Sequence, residues 1–133
     1  MKLILYADGG ARGNPGPAAT GVIIKNEKGE ILSAYGEYLG KQTNNFAEYS
    51  AIISGLKKAQ ELGADEIDCL LDSKLVVEQL NGNWKVKEPT LQKLFIQAWN
   101  ETQKFKKVKI RHTLRKNNKE ADVEVNKILD KHS

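Results

Sequence analysis

The sequence predicts an α/β fold: a five-stranded mixed sheet, three antiparallel strands followed by two parallel ones, flanked by helices. Three apolar or alternating runs come first, Lys2 to Asp8, Ala19 to Asn26 and Ile31 to Leu39, and the turn Asn26-Glu27-Lys28-Gly29 joins the last two as a hairpin. Helical and strand patterns then alternate, which brings in parallel pairing through right-handed crossovers. No repeat, low-complexity tract or Pro/Ser-rich linker divides the 133 residues, so one domain over residues 1–133 is expected.

The first three runs make an antiparallel meander. From Asn45 to Leu62, Tyr49, Ile52, Ile53, Leu56 and Ala59 recur at helical spacing, with Gly63 at the C-cap position. Glu66 to Leu71 is a short, mostly apolar strand that meets a brief helix, Ser73 to Leu80, at Asp72, and Asn81-Gly82 closes that helix. Pro89 opens a further helix with the stripe Leu91, Leu94, Phe95, Ala98, Trp99 and Thr102, so Trp99 is expected in the core. A strand from Val108 to Leu114 follows. The last helix begins at Asn117, read as its N-cap with Glu120 three residues on, and its stripe is Ala121, Val125, Ile128 and Leu129. The order is βββαβααβα.

With 40% hydrophobic residues the chain can bury its own core without disulfides. Cys69, the single cysteine, sits inside an apolar run and reads as a buried thiol, which favours a cytoplasmic setting. The N-terminal apolar stretch breaks at Asp8, too short for a signal peptide or a membrane span. A net charge of +4 favours a polyanionic partner without requiring one. Nothing in the pattern calls for an oligomer, so a monomer is expected.

Four acids stand out. Asp8 ends the first strand and Asp72 the fourth, on neighbouring parallel strands whose carboxyl ends collect functional groups in such sheets. Glu48, in the first turn of the long helix, and Asp122, near the start of the last, open onto the same edge. Clustered carboxylates require protons or cations, and an all-oxygen site suits Mg²⁺ or Mn²⁺, two of which can act together on a phosphodiester. With His112, His132 and one cysteine, no zinc-type cluster can be assembled. Each acid also has a plainer reading: Asp8 as a turn residue, Asp72 as an N-cap, Glu48 as the far member of a capping box with Asn45, and Asp122 as a solvated helix acid.

The motifs Tyr6-Ala7-Asp8-Gly9-Gly10-Ala11-Arg12-Gly13-Asn14-Pro15-Gly16-Pro17, Thr43-Asn44-Asn45-Phe46-Ala47-Glu48-Tyr49, Asp72-Ser73 and Asn118-Lys119-Glu120-Ala121-Asp122 carry a closer likeness. Over nearly its full length the sequence resembles type 1 ribonuclease H. The resemblance implies the ribonuclease H-like fold and cleavage of the RNA strand of an RNA/DNA hybrid, leaving a 5′-phosphate and a 3′-hydroxyl. It implies two ions, Mg²⁺ or Mn²⁺, with Asp8 bridging both, Glu48 and Asp72 holding one and Asp122 helping the other. It further implies that Gly10, Asn14, Asn44 and Asn45 contact riboses of the RNA strand, that Thr43 holds a phosphate of the DNA strand, and that Trp84 meets a DNA sugar. Asn14-Pro15-Gly16 read alone is a turn and Asn44-Asn45 read alone are caps, while Trp84, within the basic segment Asn83-Trp84-Lys85-Val86-Lys87, reads as an exposed aromatic with a core residue as the alternative.

The chain departs from the family pattern in several places. The basic protrusion of some bacterial relatives shrinks to Asn81 to Glu88, which makes this a short form. The loop histidine that aids product release in those relatives has no counterpart: His112 lies within the last predicted strand, and Arg115 takes the loop position as an auxiliary residue. Val123 and Glu124 follow Asp122 in place of leucine and alanine, Phe46 replaces a frequent polar residue, and Lys74 replaces glutamine. Lys104, Lys106, Lys107 and Lys109 read as a solvated face. A noncatalytic nucleic-acid binding module on the same fold would have no use for four acids, and an origin in a retroelement polymerase would leave the chemistry unchanged.

Overall fold

The structure, a computed structural model, describes residues 1–133. Strands β1 (Lys2–Ala11), β2 (Gly16–Asn26) and β3 (Ile31–Gln42) precede helix α1 (Asn44–Glu61) and strand β4 (Glu66–Leu71). Helices α2 (Lys74–Leu80) and α3 (Pro89–Thr102), strand β5 (Lys107–His112), a single 3₁₀ turn over Arg115–Asn117 and helix α4 (Lys119–Lys131) complete the chain. The sheet order is β3-β2-β1-β4-β5, with β1–β2 and β2–β3 antiparallel and β1–β4 and β4–β5 parallel. This is the predicted mixed sheet.

Alternation in β1 buries Leu3, Leu5 and Ala7 completely, and they join Ile52, Leu56, Ile67, Cys69 and Leu71 in the main core beneath α1. Each large aliphatic side chain placed there contributes about 1.5–3 kcal/mol relative to exposure. Cys69 is buried and unpaired, and burial pushes its thiol pKa up. On the opposite face α4 covers β2, β3 and β1, with Val125 and Leu129 packed on Ala19 in a second, smaller core.

Several boundaries differ from expectation, each for a local reason. Strand β1 runs three residues past Asp8 because the segment Gly13 to Gly16 folds tightly enough for the hairpin to continue, closed by Arg12 N–H donating to Pro17 O at 2.8 Å. Strands β2 and β3 lengthen to match. Helix α1 begins at Asn44, which places Glu48 at the start of the second turn rather than in the first, and its cap is Thr43, whose Oγ1 accepts from Phe46 N–H at 3.1 Å. Ser73, not Asp72, caps α2, and its Oγ accepts from Val76 N–H at 3.3 Å.

Strand β5 stops at His112, two residues short of the predicted Leu114. The 3₁₀ turn follows, so α4 starts at Lys119. Asn117 therefore caps nothing, and Glu120 pairs with Lys25 at 2.7 Å instead of closing a box. Trp99 is 48% exposed: α3 turns Leu91, Leu94, Ala98 and Thr102 inward, leaving the indole at the rim of a shallow cavity over Leu80, Phe105 and Ile110. Trp84 is exposed, at 45%, as the basic segment around it suggested.

Candidate active site

The parallel ladder between β1 and β4 ends at the pair Ala7 and Leu71. Asp8 and Asp72 are the next residues on these two neighbouring strands. Asp8 is thus not the last residue of its strand, as expected, but the first beyond its parallel partner.

Glycines let the helices come close enough to add their acids. Added to Gly9, a methyl group would collide with the backbone of Ala47 and Glu48, so the bare glycine admits α1. On the other face Asp8 pairs with Gly21, and Gly21 pairs with Gly36. A methyl at Gly21 would collide with Ala121 O, and one at Gly36 would lie 3.0 Å from Glu124 O. This row of glycines seats α4 directly on the sheet. Asn118 fastens its start: the side chain is 1% exposed, and its Nδ2 donates to Ala7 O at 3.0 Å, one residue before Asp8.

One carboxylate oxygen from each of Asp8, Glu48 and Asp72 lies within 4.8 Å of the others. Asp8 is 6% and Glu48 9% exposed, and Glu48 Oε2 is buried without a hydrogen-bond partner. Burial first, then the charges of Asp72 and Asp122, push the Asp8 pKa up to about 8, against a weaker pull from Arg115. Glu48 is likewise pushed well above the usual range by burial and then by Asp8 and Asp72, while the Gly9 N–H and Arg115 oppose the rise. Asp122 lines the same groove but stands outside the tight trio, with Arg115 Nη2 3.7 Å from its Oδ1. The groove, about 530 Å³, is also lined by Gly10, Arg12, Asn44 and Asn126.

Asn44 Oδ1 accepts from Ala11 N–H at 2.9 Å, and Asn44 N–H donates to Asn14 Oδ1 at 3.0 Å, tying the β1–β2 turn to the start of α1. Asn14, Thr43 and Asn45 line an adjoining cavity that extends toward Glu88 and Thr90. Trp84 borders neither space; it stands on the α2–α3 connection. Glu124, of undecided direction in the sequence, turns away from the groove and pairs with Lys127 at 3.1 Å.

A family model described as reverse transcriptase-like matches residues 6–128. The crystal structure of RNase H1 from Halobacterium salinarum superposes with a TM-score of 0.96 at 38% identity, covering 98% of this chain and 99% of that one. The chain belongs to the type 1 ribonuclease H family. LC11-RNase H1, solved in complex with an RNA/DNA hybrid, is a second ribonuclease H relative, at 41% identity and a TM-score of 0.93, with 98% of each chain covered. The bifunctional protein Rv2228c of Mycobacterium tuberculosis is 44% identical over 131 residues, 98% of this chain, but the match spans only 36% of that longer protein.

The donor set of this family member fits a divalent cation. Three carboxylates close together, one with an orphaned buried oxygen and two holding protons far above their normal range, form an oxygen-only site short of positive charge. Sequence reasoning missed the positions that set this geometry: Asn118, Gly21 and Gly36. Gly21 and Gly36 lie inside strand patterns, where an isolated glycine signals close approach of another backbone, and that signal was available.

Proposed function

We propose that the chain is a metal-dependent endonuclease that hydrolyses the RNA strand of RNA/DNA hybrids, leaving 5′-phosphate and 3′-hydroxyl ends. The observation that carries this reading is the shared space of Asp8, Glu48 and Asp72, where burial and neighbouring carboxylates raise the pKa of Asp8 and Glu48. Relatives named ribonuclease H, one of them bound to a hybrid, support the substrate.

In this reading Asp8, Glu48, Asp72 and Asp122 would together hold two divalent ions, Mg²⁺ or Mn²⁺. The ions, when bound, supply the Lewis acidity that activates water and offsets charge on the phosphodiester. Everything else falls to the polypeptide. Asn14 and Asn44 each commit a carboxamide oxygen to a backbone N–H, which leaves each Nδ2 free to donate to a ribose 2′-hydroxyl. Gly10, where a methyl would stand 3.5 Å from Val125 Cγ1, gives the strand room to approach, and Asn45 adds a third amide nearby. Thr43 Oγ1 already accepts from Phe46 N–H, so its hydroxyl proton points to a phosphate of the DNA strand at the start of α1. Trp84 offers an exposed ring to a DNA sugar. Arg115, its side chain 81% exposed, is a cation beside Asp122 that helps product leave. The enzyme works as a single-domain monomer in the cytoplasm.

The test compares cleavage of a labelled RNA/DNA hybrid, duplex RNA, duplex DNA and single strands, with and without Mg²⁺ or Mn²⁺. Only the hybrid should be cut, only with a divalent ion, and Asp8→Asn or Asp72→Asn should lower the rate by more than about 100-fold. Equal cutting of duplex RNA, or no cutting with either ion, overturns the reading.

A further inference from the structure

Asp122 is less enclosed than Asp8 and Glu48; its side chain is 32% exposed. Asp8 and Glu48 are fixed by burial, whereas an aspartate this open on a helix samples several rotamers unless something holds it. Asn126, one turn further along α4, donates through Nδ2 to Asp122 Oδ2 at 3.3 Å and to the Asp122 carbonyl at 3.1 Å. Arg12, near the far end of β1, reaches across the groove: its Nη2 donates to Asn126 Oδ1 at 3.3 Å and to Asp130 Oδ1 at 2.6 Å. Asp122, Asn126 and Asp130 follow at four-residue intervals, so they form one row on the helix.

We infer that Arg12 and Asn126 are positioning residues that hold the Asp122 carboxylate toward its divalent ion, a role that rests on the reading of Asp122 as an ion ligand. Arg12 can only donate, so it fixes the Asn126 carboxamide with oxygen outward and nitrogen toward Asp122. The amide is uncharged, and it orients Oδ2 without cancelling the charge an ion needs. Arg115 stands on the other oxygen as a cation, and a second cation at position 126 would compete with the metal. The contact also ties strand to helix: Arg12 lies four residues beyond Asp8 on β1, and Asn126 lies four beyond Asp122 on α4. The separation of Asp8 and Asp122 is therefore set at this clamp as well as at Asn118. Outer partners of metal ligands commonly govern affinity by 10–100-fold.

The inference is tested by titrating Mn²⁺ or Mg²⁺ into the wild type, Asn126→Ala, Arg12→Ala and Arg12→Lys by calorimetry, alongside steady-state cleavage of a hybrid. Both alanine variants should bind the weaker ion about tenfold less tightly. Their kcat should fall at limiting ion and recover at high ion, with KM for the hybrid nearly unmoved. Arg12→Lys, which keeps a donor for Asn126 and Asp130, should restore most of the loss. Both side chains are exposed, so the melting temperature should stay within a few degrees of wild type. Wild-type ion isotherms in both alanine variants, or a loss seen only as lowered melting temperature, would overturn the clamp and leave the nuclease reading intact. Failure of the wild type to take up ions would remove that reading itself.

Discussion

Asp8 is an acid whose surroundings favour its proton, and the sign of its contribution to stability follows. In the ion-free fold its pKa stands near 8 against an ordinary 3.8, raised by burial and then by Asp72 and Asp122. The folded state binds that proton more tightly than the unfolded chain does. Below about pH 4 both states are protonated, and Asp8 adds no penalty. As pH rises toward 8 the unfolded chain gives up its proton first, so the fold loses stability across that window and stays penalised above it. Each tenfold change in proton affinity is worth about 1.4 kcal/mol, enough to move the Tm of a domain this size by about 5 °C. Asp8→Asn keeps the shape and removes the titration. Ion-free Asp8→Asn should therefore melt at least about 5 °C above wild type at pH 9 and close to it at pH 4. Calorimetric scans at the two pH values check this, and a variant less stable than wild type at pH 9 would contradict it.

At the scale of elements, the glycine row beneath α4 decides where Asp122 stands. Gly21→Ala forces a methyl group against Ala121 O, and since that oxygen belongs to the helix backbone, α4 must lift as a unit. Overpacking of this kind costs about 1–3 kcal/mol. Gly10→Ala, one residue beyond Gly9 on the adjacent strand, meets only Val125 Cγ1 at 3.5 Å, an ordinary contact. Gly21→Ala should thus lower Tm by roughly 5–10 °C and weaken ion binding, while Gly10→Ala should fold normally and lose only hybrid affinity. Far-UV melts with hybrid-binding titrations separate the two, and equal Tm values would show that α4 does not depend on the bare backbone. The same elements show what the sequence could reveal. Periodicity located the strands and helices, most directly where one face is buried, as with Leu3, Leu5 and Ala7. It misplaced the end of β1, because Gly9 and Gly10 interrupt an apolar pattern and imitate a turn while the hydrogen-bonded hairpin continues. It placed Trp99 in the core because a stripe gives spacing and not the rotation of a helix about its axis. Asn118 was passed over for Asn117 because a buried side chain bonded to a strand carbonyl leaves no periodic trace.

For the molecule as a whole, the acid site is a region where the fold is less stable than it could be, and ion binding repays that deficit. Two raised acids, Asp8 and Glu48, must lose their protons before they can ligate, so ion binding and proton release are coupled. At low pH protons win and the ion adds little. As pH climbs toward 8 the ion-free fold weakens through Asp8 while competition from protons fades, so the two effects add. An ion at 100 times its dissociation constant stabilises by about 2.7 kcal/mol. For this chain that corresponds to a rise in Tm of roughly 10 °C. The difference in Tm with and without Mg²⁺ should therefore widen steadily from pH 6 to pH 8, and in Asp8→Asn it should shrink to a small value whose weaker pH dependence is carried by Glu48. Cleavage should rise over the same interval, since the proton that blocks ligation is the one that blocks reaction. A Tm difference that is flat with pH, or equal in wild type and Asp8→Asn, would mean that the ion binds somewhere other than these carboxylates.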